Sequence, residues 1–447
     1  MRLILGAALL LAALGCPGKQ AAPAADPSAP LHAVGYQATL FARALDVSCA
    51  PAGAQPGVQG CLALVRYQGA LSGVDVPPSS PGYGSIAFVR TDASGAVTWV
   101  KALMAGFDPI SSESGAFVDD DLRVQLLATG EFLVSGTYEG RVFIGTPGGN
   151  NQELGSAPDR RLFLIEFHPD GTFDNWEDPG KGREQHALAV AELPSTDLVI
   201  AGSCQGDVPL DSGSFACGAS TSGYLLTVHY DCSTVGGLSF GGSLPAEASD
   251  VVADAAGNLY VSGSFEEQMT LGSLPPDLAA GEDDAFVMKL RPDGSRAFFT
   301  TAASLGHDRG GRLALVKGGV LWTARVSEGA RVGPTLLDQG GQVVALLDEA
   351  GAVQWVKRVP QAGAGTPLRL AAAADGSFVL FGDGFLGRYL PDGTEAWVRT
   401  GADVRGAAFT GSALVVAASS VGGSVLGATI AAPGDHDLRA ALVFFAP

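Results

Sequence analysis

A bulky aromatic recurs along this chain, each time a few residues after a tight turn. The set is Trp99, Trp176, Phe240, Phe298, Trp355 and Trp397. Phe41, in the segment ATLFARAL (38–45), extends it to seven. Four of the five tryptophans fall in this slot, so it reads as a packing position of a repeated unit. The turns before the slot share one chemistry: AFVRTDASG (87–95), LFLIEFHPDG (162–171), AFVMKLRPDG (285–294), VVALLDEAG (343–351) and FLGRYLPDG (385–393). Pro presets φ, Asp binds its own backbone and Gly accepts positive φ, so each turn joins two strands of a hairpin. A further strand precedes each hairpin, as in GEFLVSG (130–136), TDLVIAG (196–202), GNLYVSG (257–263) and GSFVLFG (376–382). With an inner strand before it, each unit has four strands. Four-stranded units without helical periodicity predict an all-β chain, a seven-bladed β-propeller of antiparallel blades over residues 34–447. The last unit stops at ALVFFAP (441–447), three strands in. The strand around Phe41 is expected to supply its fourth, closing the ring without exposed edges. An open run of β-units or two β-sandwiches is the rival.

The 62 glycines suit a chain of many turns, and a formal charge of −19 repels phosphate backbones, which excludes nucleic acid as a partner. The N-terminus carries an address. Met1-Arg2 is followed by an apolar run from Leu3 to Leu14, too short to span a membrane. Ala13-Leu14-Gly15-Cys16 resembles the lipobox of bacterial lipoproteins. That resemblance implies a signal peptide over 1–15, cleavage before Cys16, and acylation of Cys16 on its sulfur and amino group. Several acyl chains anchor a protein stably. Residues 16–33 then read as the lipidated Cys and a Pro/Ala-rich tether. Pro17 stands where an Asp tends to hold such lipoproteins in the inner membrane, so the outer membrane is expected.

The segment DVVADAAGNLYVSG (250–263) followed by DAFVMKLRPDG (284–294) resembles the bacterial β-propeller repeat called SBBP, with weaker copies elsewhere. The likeness implies an exported propeller and no particular activity. The turn-then-Trp pattern, as in DASGAVTW (92–99), also resembles quinoprotein-like propellers. No vicinal Cys pair is present to cover a quinone ring, so no cofactor is expected.

Beyond Cys16, five cysteines remain. An oxidising compartment favours pairing Cys49 with Cys61 across a hairpin turn and Cys204 with Cys217 across a loop, leaving Cys232 over. Neither C-x-x-C nor zinc-spaced His occurs, and one Asp per turn cannot supply calcium with six to eight oxygens, so no metal is expected. The denser acidic runs, Asp119-Asp120-Asp121 and Glu282-Asp283-Asp284, default to solvated loops. Asp121, His186, Asp250 and Asp308 precede or open inner strands and are candidates for a polar ring at the channel mouth, a possible ligand site. Blade six has no long loop between its second and third strands, which predicts a notch on that face. No nucleophile elbow, zincin motif or P-loop occurs, so no catalytic residue is assigned.

The expected function is a monomeric, lipid-anchored, non-catalytic scaffold for a protein or glycan partner. The alternatives are a propeller lyase or hydrolase with acidic groups in its channel, and a sugar-binding propeller. A deep polar pocket would favour an enzyme, aromatic pockets between blades a lectin, and exposed apolar patches a protein partner.

Overall fold

The computed structural model describes residues 30–36, 41–50, 58–68, 85–104, 116–117, 122–127, 129–144, 152–177, 183–210, 213–229, 233–363, 365–410, 413–421, 424–426, 428–429 and 438–445. Cys16, Asp119–Asp121 and Cys232 lie outside them. Among the described residues every regular element is a strand.

Five four-stranded meanders follow one another. Their inner strands are Phe41–Cys49, Arg123–Leu126, Arg183–Glu192, Ala246–Ala253 and Arg309–Val316; their outer strands are Val97–Met104, Phe173–Glu177, Thr234–Gly241, Arg296–Ala303 and Val353–Arg358. A six-stranded path comes last, in the order Arg369–Ala372, Phe378–Tyr389, Glu395–Thr410, Ala413–Val421, Leu438–Phe445 and Pro30–Tyr36. Around an axis the first inner strand packs on the second, the third on the fourth, the fourth on the fifth and the fifth on Arg369–Ala372, while Arg183–Glu192 packs on the second unit's middle strands and Glu395–Thr410 on Phe41–Cys49, which brings the end back to the start. This is a propeller arrangement.

Hydrogen bonds reinforce the radial order. The Asp46 carboxylate accepts the Val124 N–H at 3.1 Å, and Asp250 accepts that of Leu313 at 2.6 Å. Thr137 Oγ1 accepts Ala187 N–H at 3.4 Å, and Ser419 Oγ accepts Ala44 N–H at 2.9 Å. In each case a side chain of one unit holds the inner-strand backbone of the next. Inner strands have no sheet partner on that side, so these bonds satisfy otherwise orphaned donors.

Two expectations are corrected. The large hydrogen-bonded sheets of the described residues number five, not seven. The third and fourth units share one sheet because Phe240 and Gly241 pair with Leu271 and Thr270, and the last path runs unbroken. Phe41 does not close the ring. It pairs with Gln68 at the start of the first unit's inner strand. The strand beside Leu438–Phe445 is Pro30–Tyr36, with Ala33 opposite Val443 and Gly35 opposite Ala441. The stretch read as tether therefore ends in a strand.

The other six aromatics are packed as the repeat requires. Trp99 lies against Gly171 in the second unit's turn, Phe298 against Gly351 in the fifth's, and Trp355 against Gly393 in the last path. Each aromatic thus covers the positive-φ glycine of a neighbouring turn. Phe240 meets Phe286, Trp397 stacks on Phe445, and Trp176 packs beside the core around Phe132. A Cβ at Gly351 (φ +83°) would meet the Phe298 ring at 2.4 Å, whereas one at Gly294 (φ +77°) meets nothing. Gly294→Ala is therefore expected to cost only the backbone strain of about 1–2 kcal/mol, and Gly351→Ala at least about 2 kcal/mol more. Urea denaturation of both variants measures the difference; equal losses would remove the packing role from the slot.

Candidate functional site

In an antiparallel meander the chain enters each unit at one end and returns there after its second strand. Unit-to-unit connections and second-to-third-strand loops therefore share one face. On that face the hairpin Asp207–Leu210 with Gly213–Ala216, the extensions of Leu259–Leu271 and Asp277–Leu290, and the hairpin Arg331–Val332 with Thr335–Leu336 project. Both expected disulfides are formed. Cys49–Cys61 joins opposed residues of the first hairpin, and Cys204–Cys217 closes the base of the 207–216 hairpin.

The last path has no such loop near Gly382. Its strand Phe378–Tyr389 is hydrogen-bonded along its length, yet the rings of Phe378 and Tyr389 stack at 5.3 Å. A straight strand would separate them by over 30 Å, so the chain folds back at Asp383-Gly384, where φ is +72°. The expected notch lies here, and a cavity of about 710 Å³ opens beside it.

Arginines dominate the wall of this cavity: Arg123, Arg309, Arg312, Arg325, Arg369 and Arg405. That is six of the chain's 27 Lys and Arg, gathered on a molecule of net charge −19. The lining carboxylates are Glu247 and Asp383, with His307 at the wall. Further carboxylates stand behind the arginines. Arg312 Nη1 donates to Leu188 O at 2.8 Å, Ser249 O at 2.9 Å and Asp250 Oδ1 at 3.3 Å. Arg405 Nε bonds both Asp403 oxygens at 2.9 and 3.0 Å, and Arg43 reaches Asp403 at 3.3 Å. Arg369 donates to Arg405 O.

Burial pushes the carboxyls of Asp46 and Asp250 up, against the pull of Arg123 and Arg369 on the first and Arg312 on the second. Burial, helped by the adjoining Asp383 carboxyl, raises Asp403 to about 6.

The expected polar ring is not assembled as a ring. Asp250 is buried and turned onto Arg312 and Leu313; Asp308 is fully buried and accepts Ser327 N–H at 2.6 Å. Neither lines the cavity, nor does His186, whose backbone carbonyl accepts the Tyr224 hydroxyl. Asp121 is outside the described residues, two positions before Arg123.

A second polar cluster sits between the fourth and fifth units. His307 is held by Glu282 at 2.6 Å and Asp283 at 2.5 Å. Asp284 is buried beside it and accepts Ala280 N–H at 2.8 Å. Burial first, then the charges of Asp308 and Asp283, push its carboxyl up to about 6. Because this folded value exceeds the ordinary 3.8, the ionised form is disfavoured by folding, and stability rises as pH falls from 7 through 6. Asp284→Asn keeps an acceptor for Ala280 and is expected to stabilise by about 1–2 kcal/mol at pH 7, a gain that vanishes near pH 4. Melting curves of both proteins across this range test it; a gain that grows in acid would refute the assignment.

The turn aspartates are structural. Asp92 Oδ1 accepts Ser94 N–H at 2.8 Å and Ala96 N–H at 3.0 Å, and Asp170, Asp293 and Asp392 cap their turns alike. These bonds hold all four carboxyls below the usual range. Glu131, His168 and Asp174 bring donor atoms within 4.8 Å of one another on the surface; His168 already faces Glu131 at 3.9 Å and Asp174 at 3.5 Å.

Fold and site together define a propeller with a cationic mouth. No protein-family model matches the chain, and no curated protein sequence matches it. Solved structures match by shape alone. Sqt1 from Chaetomium thermophilum is 11% identical with a TM-score of 0.42, covering 93% of this chain and 99% of its own. The Pan2 WD40 domain of Neurospora crassa is 8% identical at 0.40, covering 77% and 94%. A protein of unknown function from Bacteroides caccae is 13% identical at 0.36, covering 71% and 90%. The propeller assignment rests on the strand order above, not on these scores.

Proposed function

We propose that this protein is a non-catalytic binding scaffold of the cell envelope, a seven-wedge propeller tethered by a lipidated Cys16, whose loop face docks a protein partner. The wedge count draws on the last path. Folding back at Asp383-Gly384, and turning again at Gly401 (φ +94°), it divides into two meanders: 369–372, 378–382, 385–389 and 395–400, then 403–410, 413–421, 438–445 and 30–36. With the five separate meanders this makes seven. The lipobox at 13–16 and the SBBP-like repeat support an exported, outer-membrane address, and the two disulfides suit an oxidising one.

The observation that carries the docking reading is a set of exposed leucines. Leu244, Leu274, Leu278, Leu305 and Leu336 all lie on connections or loops of the one face, and Leu278 and Leu305 are 71% and 85% exposed. Large apolar side chains exposed on one loop face mark a protein contact. Photo-cross-linking in producing cells tests this. A cross-linkable residue at Leu305 or Leu278 is expected to trap a discrete protein, and one at Asp293, on the opposite face, is not. Equal trapping from both faces, or none from the loop face, would end the reading.

The polar cavity favours a second reading, a propeller enzyme. Among the described lining residues Glu247, Asp383 and His307 are fitted to proton transfer, and both ring nitrogens of His307 are held by carboxylates.

A further inference from the structure

We propose that the arginine-lined mouth is a binding site for a small anion carrying two or more carboxylate or phosphate groups. This site is independent of the leucine-bearing loops, and either assignment stands without the other.

Six guanidinium groups from four units of the ring converge on one cavity, and the chain is otherwise strongly acidic. Like charges gathered in a half-enclosed, low-dielectric space repel, and a resident anion relieves that repulsion. The lining acids do not cancel it. Asp383 is 83% exposed and reaches Arg405 only at 3.7 Å. Glu247 is turned towards its own unit, near Ser249 and Ser264. The carboxylates behind the arginines offset part of the charge, Asp250 pairing with Arg312 and Asp403 with Arg405 and Arg43, but Asp46 and Asp250 are also engaged by the backbone N–H groups of Val124 and Leu313, and none of them reaches Arg325.

Donor accounting points the same way. A guanidinium carries five N–H donors in a planar fork. Arg312 spends Nη1 on the ring's own carbonyls and on Asp250. Arg309 meets Asp283 through Nε at 3.4 Å. Arg325, at the end of the fifth unit's second strand, makes no ion pair among the described residues, yet it is half-buried in the wall. It has no part in holding units together, so a structural role does not account for it. Arginine forks match carboxylate and phosphate oxygens bidentately, and two or more such groups are needed to engage forks on facing walls. A cavity of about 710 Å³ suits a metabolite-sized ligand, not a bare halide.

Isothermal titration of the full mature chain with citrate and, separately, with inorganic pyrophosphate tests the site, with glucose as the uncharged control. One site per chain is expected for at least one anion, weakening at least about fivefold as sodium chloride rises from about 50 to about 200 mM. Binding of citrate alone identifies a carboxylate ligand, and of pyrophosphate alone a phosphate ligand; binding of both supports the shared chemistry. Arg325→Gln is expected to weaken binding at least about tenfold while leaving the melting temperature unchanged. Failure of both anions to give saturable heat, binding within about twofold of wild type in Arg325→Gln, or equal binding of glucose would overturn the proposal.

Discussion

Arg312→Met is expected to cost about 3–5 kcal/mol of stability, the range for leaving a buried charge without its partner. Arg312 binds three successive units at once. It takes Leu188 O from the third and Ser249 O and Asp250 from the fourth, while its own backbone lies in the fifth. Methionine fills much of the same space, so the loss reports the polar bonds and not a cavity. Asp250, 8% exposed, would keep its bond from Leu313 N–H and lose the only cation that offsets its burial. Its carboxyl, already raised by burial, would rise further. The deficit should therefore shrink as pH falls and Asp250 takes up a proton. Asp250→Asn placed in the Arg312→Met background is expected to recover part of the loss, because no uncompensated charge remains; the carbonyls of Leu188 and Ser249 stay without their donor. A double-mutant cycle by urea denaturation at pH 7 and pH 5 measures the coupling. Additive losses at both pH values would show that the pair does not hold the units together.

Removing residues 30–36 is expected to have the largest effect on the molecule as a whole. Pro30–Tyr36 is the outer neighbour of Leu438–Phe445 over six registered pairs. Without it, Leu438–Phe445 becomes an edge bearing unpaired N–H and C=O groups and the apolar row Ala441, Val443 and Phe445 beside them. The strand pairing that ties the chain's two ends into one ring is lost as well. We expect a fall of several kcal/mol, about 10 °C or more in melting temperature, together with concentration-dependent association in light scattering. A truncated chain that stays monomeric and melts as wild type would show that this strand contributes nothing to closure.

The repeat was legible because its signals are local. Each Asp-x-Gly turn and its following aromatic lie within about ten residues, and their chemistry survives in the fold as the Asp caps and the aromatic-on-glycine contacts. Both disulfides were legible for the same reason, since each spans a single hairpin or loop. The closing strand was not. ATLFARAL resembles VTWVKAL, so Phe41 was drawn into the aromatic series, whereas the strand that closes the ring begins in PLHAVGY (30–36), whose Pro and Ala blend with the preceding tether. The composition of the mouth is less legible. The acids that open inner strands are easy to notice in sequence, but Asp250 and Asp308 turn inward to backbone amides. The arginines are spread from 123 to 405, three of them in the fifth unit, and nothing in their spacing announces that the ring brings them to one wall. The number of separate sheets was likewise hidden, because extra pairs such as Phe240 with Leu271 fuse neighbours that the repeat marks as distinct.

Closure by the N-terminal strand is what makes the ring, and with it the shared mouth. Cysteine cross-linking tests it most directly. Ala33 and Val443 stand opposite each other across the closing pair, whereas Phe41 lies in another sheet opposite Gln68. After mild oxidation, the double variant Ala33→Cys/Val443→Cys is expected to yield an intramolecular 33–443 disulfide by mass spectrometry, and Phe41→Cys/Val443→Cys is expected to yield none. A 41–443 link, or a 33–443 link found only between molecules, would contradict the account.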